Sequence, residues 1–540
     1  MYFLHQKHLT RLFCFVFILT ITLPLVVSVI KAPDVQEIER LERRSAAKWP
    51  KWPEKKRDRE EWVRDVGRYV DDHFTFRRNL VQLHHRILSG LNISSSRSVV
   101  YGKNDWLFYG GDELMDLRGM GNLTSLERMR WDCYLREIRN GLQKEGIPFL
   151  LVVTPDKSSV YPEYLPRNLR GDLLKSRKSD LLGALRKWLP EEELLDLCDP
   201  VRGFKAEGQL YFKHDTHWNY LGGALAADVI LERLAARGFP VKPLGLKSTD
   251  FTPLPSSTYD LLRLLGEAPR ERAPVFPLDL IDRFQYEVEL NGPDLRRIFP
   301  NPAIFLHSTV NPSGHGRLLM IRDSFAIYMA DCISTQFAEA DYVWAPANIP
   351  EFMASATQVL AAVQARKPTL VIFEVLERLL AVVPSQSGSF QDFLRETFET
   401  LPQEVWRWSE QSKDSLKFTP SSLKGRITGE SIHWTQSGLT RPGRLTFREV
   451  RLDQEGLKIL HAKILSPQEL TVKIVVSPLA SEESDRTEEP IRLQKGWNEI
   501  WVALPEIPLQ RELRIESGTL DGDLEISELS IRHGARAIDG

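Results

Sequence analysis

Leu318–Ala330 reads LLMIRDSFAIYMA, and this stretch decides the fold. Four apolar residues, Leu318–Ile321, make a strand buried on both faces, which runs directly into Arg322-Asp323-Ser324 and then into a helical pattern. A strand–turn–helix of this kind presents a hydroxyl at the carboxyl edge of a parallel sheet, where α/β ligand sites lie. It also aims the first amides of the helix at one point, which suits an oxyanion. The plainer reading is that Asp323 or Ser324 caps the helix. Two further runs, Phe149–Val153 (FLLVV) after Gly146-Ile147-Pro148 and Leu370–Val375 (LVIFEV), read as strands of the same buried type. Helical patterns alternate with them. Thr124-x-x-Glu127 is a capping box ahead of Trp131, Leu135, Ile138 and Leu142, and Tyr220–Arg237 is Ala/Leu-rich and stops before Gly238. Strands alternating with helices specify an α/β domain built on a parallel sheet.

After about residue 415 the grammar changes. Leu470, Val472, Ile474 and Val476 alternate with polar residues, and Lys495–Pro505 and Gly522–Arg532 continue that style with turn residues between them. This predicts a β-sandwich over 415–540, of jelly-roll or immunoglobulin-like patterning. Within it Trp497 and Trp501 share one face at a period of two, as core or as a glycan platform, core being the plainer reading.

The chain of 540 residues has room for about three domains at roughly 150 residues each. Lys plus Arg is 71 against 73 Asp plus Glu, a net charge of -2, which gives no basic surplus for a nucleic-acid partner. Leu12–Ile30 is 19 residues without a charge, long enough to cross a hydrocarbon core of about 30 Å. Lys7 and Arg11 on its amino side keep the N-terminus in the cytoplasm and leave the body outside. An uncleaved signal anchor is expected over residues 1–31, with a cleaved signal peptide as the alternative. Residues 32–95 read as a charged stalk, broken by Pro50 and Pro53, and lead-in helices from Trp62 through Leu88; residues 96–414 are the α/β domain. Beyond the anchor lie Cys133, Cys198 and Cys332, without metal-like spacing, so one disulfide is open and a cysteine-held metal is not expected.

A second segment carries chemistry: YFKHDTHWN, Tyr211–Asn219, just before the Ala-rich helix. Asp215 stands two residues from His217, and a carboxylate beside an imidazole fixes its tautomer and stabilises the imidazolium that forms in general-base work. Capping by Asp215 or Thr216, with His217 on the surface, is the plainer alternative. His214, Asp215 and His217 could also be metal ligands, but adjacent His214 and Asp215 would face apart in an extended segment, so no metal is assigned. Joined with Ser324, the D-x-H pair points to a Ser-His-Asp nucleophile.

Several stretches together resemble the AlgJ/AlgX-like alginate O-acetyltransferase family, whose catalytic domain is of SGNH-hydrolase type. They are Tyr69–Leu88, Val99–Asp112 (VVYGKNDWLFYGGD), Leu150–Pro166 (LLVVTPDKSSVYPEYLP), Lys213–Ala227 (KHDTHWNYLGGALAA), Arg322–Phe325 (RDSF) and Val371–Leu380 (VIFEVLERLL), in family order over roughly residues 60 to 380. The resemblance implies Ser324 as nucleophile, His217 as general base and Asp215 as its orienting carboxylate. Two positions depart from the pattern: Arg322 stands where the superfamily has Gly, and His214 where Thr is commoner. Arg322 is read as a local salt-bridge former, with contact to a substrate carboxylate as the alternative. Lys157 and Tyr161 lie in a family-like loop and are carried as substrate-binding or supporting residues. Trp106, Phe108 and Tyr109 read as core sooner than as sugar platforms, and Glu374, Glu377 and Arg378 as a structural ion-pair set. The Ser324 N–H is one natural oxyanion donor; the second is not assigned.

The resemblance implies an inner-membrane-anchored, periplasmic O-acetyltransferase acting on an exported or cell-surface polysaccharide, without a cofactor. It implies a membrane-bound O-acyltransferase partner that supplies acetyl across the bilayer, and a C-terminal module of carbohydrate-binding type. A carbohydrate acetylesterase with the same triad and a glycan-binding scaffold without catalysis are the two rivals.

Overall fold

A computed structural model describes residues 47–52, 59–73, 96 and, with interruptions, 98–534. The apolar run Leu12–Ile30 and residues 74–95 of the lead-in segment lie outside the described residues. Among the described residues no helix is long and apolar enough to cross a membrane. Helix α1 (Arg59–His73) is the described part of the helical stretch expected from Trp62 onward.

A short hairpin, β1 (Val99–Tyr101) and β2 (Leu107–Tyr109), leads into the α/β domain. The central sheet comprises β3 (Phe149–Thr154), β4 (Leu194–Asp196), β5 (Glu287–Glu289), β6 (Phe305–Val310), β7 (Arg317–Arg322), β8 (Glu339–Trp344) and β9 (Leu370–Leu376), in spatial order β4-β3-β9-β7-β8-β6-β5. The strands from β4 through β8 run parallel. The all-parallel expectation needs correcting at one edge, where β6 and β5 run antiparallel. Strand β6 reads FLHSTV, polar at its centre, and Ser308 bonds Asp341 while Thr309 bonds Ser334, so its hydroxyls are satisfied inside the fold. That is a strand built on side-chain hydrogen bonds, which an apolar-run search passes over.

Strands β3 and β9 are buried along their whole length, because helices cover both faces. On one face lie α3 (Tyr220–Ala236) and α5 (Ile327–Ser334) over Met320, Leu318, Ile372 and Leu150. On the other lie α2 (Ser125–Lys144) and α6 (Ala356–Arg366) over Leu319, Ile321, Val371 and Phe373. The capping box of α2 forms as its sequence predicts: Thr124 Oγ1 accepts from the Glu127 amide, and Glu127 reaches back to the Thr124 amide.

Two β-sheets follow. The first runs in the order β12 (Lys424–Thr428), β13 (Ser431–Gln436), β20 (Gly522–Gly534), β15 (Leu457–Ser466), β18 (Gly496–Leu504), with β10 (Gln403–Arg407) also on β20. The second runs β11 (Leu416–Thr419), β14 (Gly443–Leu452), β19 (Leu509–Ser517), β16 (Leu470–Pro478), β17 (Thr487–Leu493). Leu470, Val472, Ile474 and Val476 turn into one core with Ile432, Trp434 and Ile526. Strand β10 already belongs to this architecture, ahead of the expected boundary at 415. Helix α7 (Gly388–Thr400) seals the two bodies, burying Phe390, Leu394 and Phe398 with Cys133, Leu457, Ile459 and Trp501. Trp497 and Trp501 therefore part company: Trp501 is 8% exposed beneath α7 and Trp497 is 58% exposed beyond its reach. Cys133, Cys198 and Cys332 are buried and free, so the disulfide left open by the sequence is not formed.

Candidate active site

Strand β7 extends to Arg322, and the chain then makes a turn rather than entering a helix at once. Ser324 sits in that turn and α5 begins at Ile327, with Ala326 in the capping position. The plainer alternative, a cap by Asp323 or Ser324, is not formed. Asp323 instead fastens the turn to β9: its carboxylate accepts from the Phe325 amide at 2.8 Å and the Leu376 amide at 2.7 Å, while its own amide donates to Glu374 at 2.9 Å. Those bonds hold Ser324 at the carboxyl edge of the parallel strands. Among the described residues the Ser324 N–H has no partner, which leaves it available to an oxyanion.

The D-x-H segment is brought to the same edge. His217 Nδ1 lies 2.7 Å from Asp215 Oδ1, and Nε2 lies 2.8 Å from Ser324 Oγ. With the proton on Nδ1 facing the carboxylate, the Nε2 lone pair faces the hydroxyl. Neighbouring residues lock this register. Trp218 Nε1 donates to the Phe325 carbonyl at 2.9 Å, so the residue after the histidine is tied to the residue after the serine. The helices that follow, α3 and α5, meet backbone to backbone where Gly223 faces the Tyr328 carbonyl. The geometry joins Ser324, His217 and Asp215 into one relay.

The electrostatics suit that relay. Burial works against the Asp215 carboxylate, but the hydrogen bond and charge of His217, with the Asp260 and His217 amides, bring it down to about 2. Burial likewise works against the imidazolium, and the hydrogen bond and charge of Asp215, helped by Asp260 and opposed by Arg378, raise His217 above its ordinary value. The Asp215 carboxylate thus favours the protonated form of the His217 ring.

The structure places the three residues carried as substrate-binding or, for Lys157 and Tyr161, supporting as follows. Lys157, on a one-turn helix after β3, is fully buried and donates to the carbonyls of Phe212 (3.2 Å), Lys213 (3.1 Å) and Asp215 (2.7 Å). It shapes the loop that carries the dyad. Tyr161 is buried, its hydroxyl accepting from the Leu210 amide, and it packs on Trp106 in an aromatic core with Tyr164. Arg322 is 3% exposed, with its guanidinium on the Asp323 carbonyl at 2.9 Å and over the Trp344 ring, and among the described residues it forms no ion pair. Neither the local salt bridge nor an open substrate contact describes it.

Trp106 and Phe108 are core, as read. Arg378 pairs with Asp156 and Glu113 rather than with Glu374 or Glu377, and Glu377 pairs with Lys178 at 2.9 Å. The His214 ring turns away from His217, toward Asp105 at 2.9 Å. Among the described residues one group could gather metal-ligating atoms, Asp215, His217 and Asp260. Its atoms are already satisfied by hydrogen bonds to one another and to Thr216, and His217 serves Ser324. Asp260 itself escaped the sequence reading, as did Glu271, which accepts from the amides of Lys213 and His214. Asp260 begins the short helix α4 (Asp260–Leu264), and its only local sequence signal is an acidic residue opening a leucine-rich stretch.

Residues 99–301 match the family described as SGNH hydrolase-like domain, acetyltransferase AlgX. That AlgX-type segment contains Asp215, His217 and Asp260; Ser324 lies just beyond it. Two relatives named probable alginate O-acetylase AlgJ are similar to the chain. The one from Pseudomonas syringae pv. tomato is 26% identical over 181 residues, 33% of this chain and 44% of that protein. The one from Pseudomonas aeruginosa is 32% identical over 138 residues, 26% and 32% respectively. The chain therefore spans less than half the length of these AlgJ relatives. The solved O-acetyltransferase domain of Pseudomonas putida AlgJ is 19% identical, with 54% of this chain and 95% of that one covered at a TM-score of 0.33.

Proposed function

We propose that the chain is an O-acetyltransferase that moves acetyl groups onto hydroxyls of an exported or cell-surface polysaccharide through an acetyl-Ser324 intermediate. The observation that carries this is the Ser324–His217–Asp215 relay at 2.8 and 2.7 Å, with its two catalytic-loop members inside the AlgX-type segment.

His217 Nε2 takes the Ser324 hydroxyl proton as Oγ attacks the acetyl carbonyl of a donor ester. The carbonyl oxygen gains charge beside the Ser324 N–H, and collapse expels the donor alcohol, which leaves with the proton held by His217. A sugar hydroxyl then gives its proton to His217 and attacks the acetyl carbon, releasing the acetylated sugar and restoring Ser324. Asp215 holds the ring in the reactive tautomer throughout. The relatives' name, alginate O-acetylase, supports a polysaccharide acceptor. The charge-free run Leu12–Ile30, with Lys7 and Arg11 before it, supports an inner-membrane anchor with the body in the periplasm; a membrane-bound acyltransferase as the source of acetyl is what the resemblance to the AlgJ/AlgX-like family implies.

The test is acetyl transfer by the full chain in detergent micelles, from an activated acetyl ester to acidic and neutral glycan oligomers, read by the mass of the oligomers. Transfer abolished in Ser324→Ala and His217→Ala is expected. Serine-dependent release of acetate, with every oligomer class left unmodified, would make the protein an esterase instead.

A further inference from the structure

The reacting dyad is held from a side that the D-x-H segment does not itself supply. Asp260, at the start of α4, accepts from the Thr216 amide at 2.8 Å through Oδ1 and from the Thr216 hydroxyl at 2.6 Å through Oδ2. Thr216 is the residue between Asp215 and His217. The Asp260 amide in turn donates to Asp215 Oδ2 at 2.7 Å, the oxygen that His217 leaves unused. Its carboxylate lies 4.0 Å from His217 Nδ1. Three bonds from one residue thus fix Asp215 and the Thr216 link that joins it to His217.

We propose that Asp260 is a positioning residue for the acyl transfer: it clamps Thr216 and Asp215 so that Nε2 meets Ser324, and it places a second negative charge beside the imidazole. This rests on reading Ser324, His217 and Asp215 as the catalytic relay. The charged groups facing Asp260 are Asp215 and His217 from the D-x-H loop, Lys157 from the turn after β3, and Arg378 from the segment after β9. Those facing the His217 ring are Asp215, Asp260, Asp323 and Arg378, while the uncharged Phe325 and Tyr328 rings pack beside it. Burial, together with repulsion from Asp215, raises the Asp260 carboxyl above its ordinary value.

Clamp and charge separate by substitution. Asp260→Asn keeps an acceptor for the Thr216 amide and lets the Thr216 hydroxyl rotate to accept from the new amide, so it removes charge alone. Thr216→Val removes the hydroxyl's bond and keeps the charge. Asp260→Ala removes both. Two measurements on the full chain in micelles read them: the pH dependence of Ser324 acetylation by an activated ester, and the pH dependence of diethyl pyrocarbonate labelling at the His217 peptide, which tracks the neutral ring without needing catalysis. In Asp260→Asn both acid limbs are expected about one pH unit lower, the direction that loss of a neighbouring negative charge demands. Thr216→Val is expected to lose about tenfold in acetylation rate with the limb in place, and Asp260→Ala to show both effects. A His217 labelling limb that stays put in Asp260→Asn, or a full acetylation rate in Asp260→Ala, overturns the inference. Failure of wild type to acetylate at Ser324 would instead overturn the relay reading, and the labelling limb would still decide the placement of Asp260's charge.

Discussion

Gly223→Ala is the most local way to pull the proposed nucleophile off its base without touching either. Gly223 lies in the first turns of α3, which follows His217, and a Cβ built there would stand 2.3 Å from the Tyr328 carbonyl oxygen and 2.6 Å from its carbon, in the helix that follows Ser324. These are backbone atoms, so no side chain can rotate out of the way. Reaching an ordinary contact of roughly 3.4 Å requires the helices to separate by about 1 Å. A comparable opening of the 2.8 Å Nε2–Oγ contact breaks it, and a misplacement of about 1 Å costs on the order of 10²-fold in rate. The fold should survive: overpacking of this kind costs about 1–3 kcal/mol, offset by about 1 kcal/mol from replacing a helical glycine. The assay is the rate of Ser324 acetylation by a chromogenic acetyl ester, with the melting temperature measured alongside. Gly183→Ala is the control, since nothing lies within 4 Å of that position, and it should leave the rate unchanged. A Gly223→Ala protein that is folded and acetylates within twofold of wild type would refute the claim that this helix contact sets the relay.

Acetylation should rise with pH through a value above that of an ordinary histidine, because the base must be neutral and Asp215 holds His217 protonated to higher pH; a limb below the ordinary value would count against the assignment. Burial, partly offset by Glu113, Asp260, Asp215 and Glu271, pushes Lys157 down to about 8, so from there to about 10.5 the unfolded chain binds the extra proton and unfolding free energy climbs with pH. The difference in stability between wild type and Lys157→Met, followed by urea titration, should grow by about 3 kcal/mol over that window and stay flat below it. Phe390→Ala removes a side chain that is 1% exposed in the seam under α7, with an expected loss of about 3–5 kcal/mol and calorimetric melting that splits into two transitions. A single unshifted transition would show that α7 does not couple the two bodies.

What could be read from the residues follows a physical divide. Leu318–Ile321, Phe149–Val153 and Leu370–Val375 were legible because a strand covered by helices on both faces must be apolar throughout, and such a run is a local property. The D-x-H pair and Ser324 were legible because two short polar insertions interrupt otherwise patterned segments. Asp260 and Glu271 were not, since their partners lie about 45 and 57 residues away and nothing local distinguishes a clamping carboxylate from a solvated one. The surroundings of Lys157 and Arg322 were hidden in the sequence for a shared reason. A cation is expected to seek solvent or a carboxylate, whereas here Lys157 donates to three backbone carbonyls and Arg322 lies on a carbonyl and over an aromatic face. Trp497 and Trp501 share a face, but only the helix α7, distant in sequence, determines which one is covered.

Peptide mapping after brief exposure to an activated acetyl ester tests the central claim most directly, with wild type, Ser324→Ala and His217→Ala compared as full chains. The relay predicts one acetyl adduct on the peptide containing Ser324 in wild type, lost in both variants and discharged when a glycan acceptor is added. Acetyl found on other residues alone, or an adduct at Ser324 formed equally fast without His217, would contradict it.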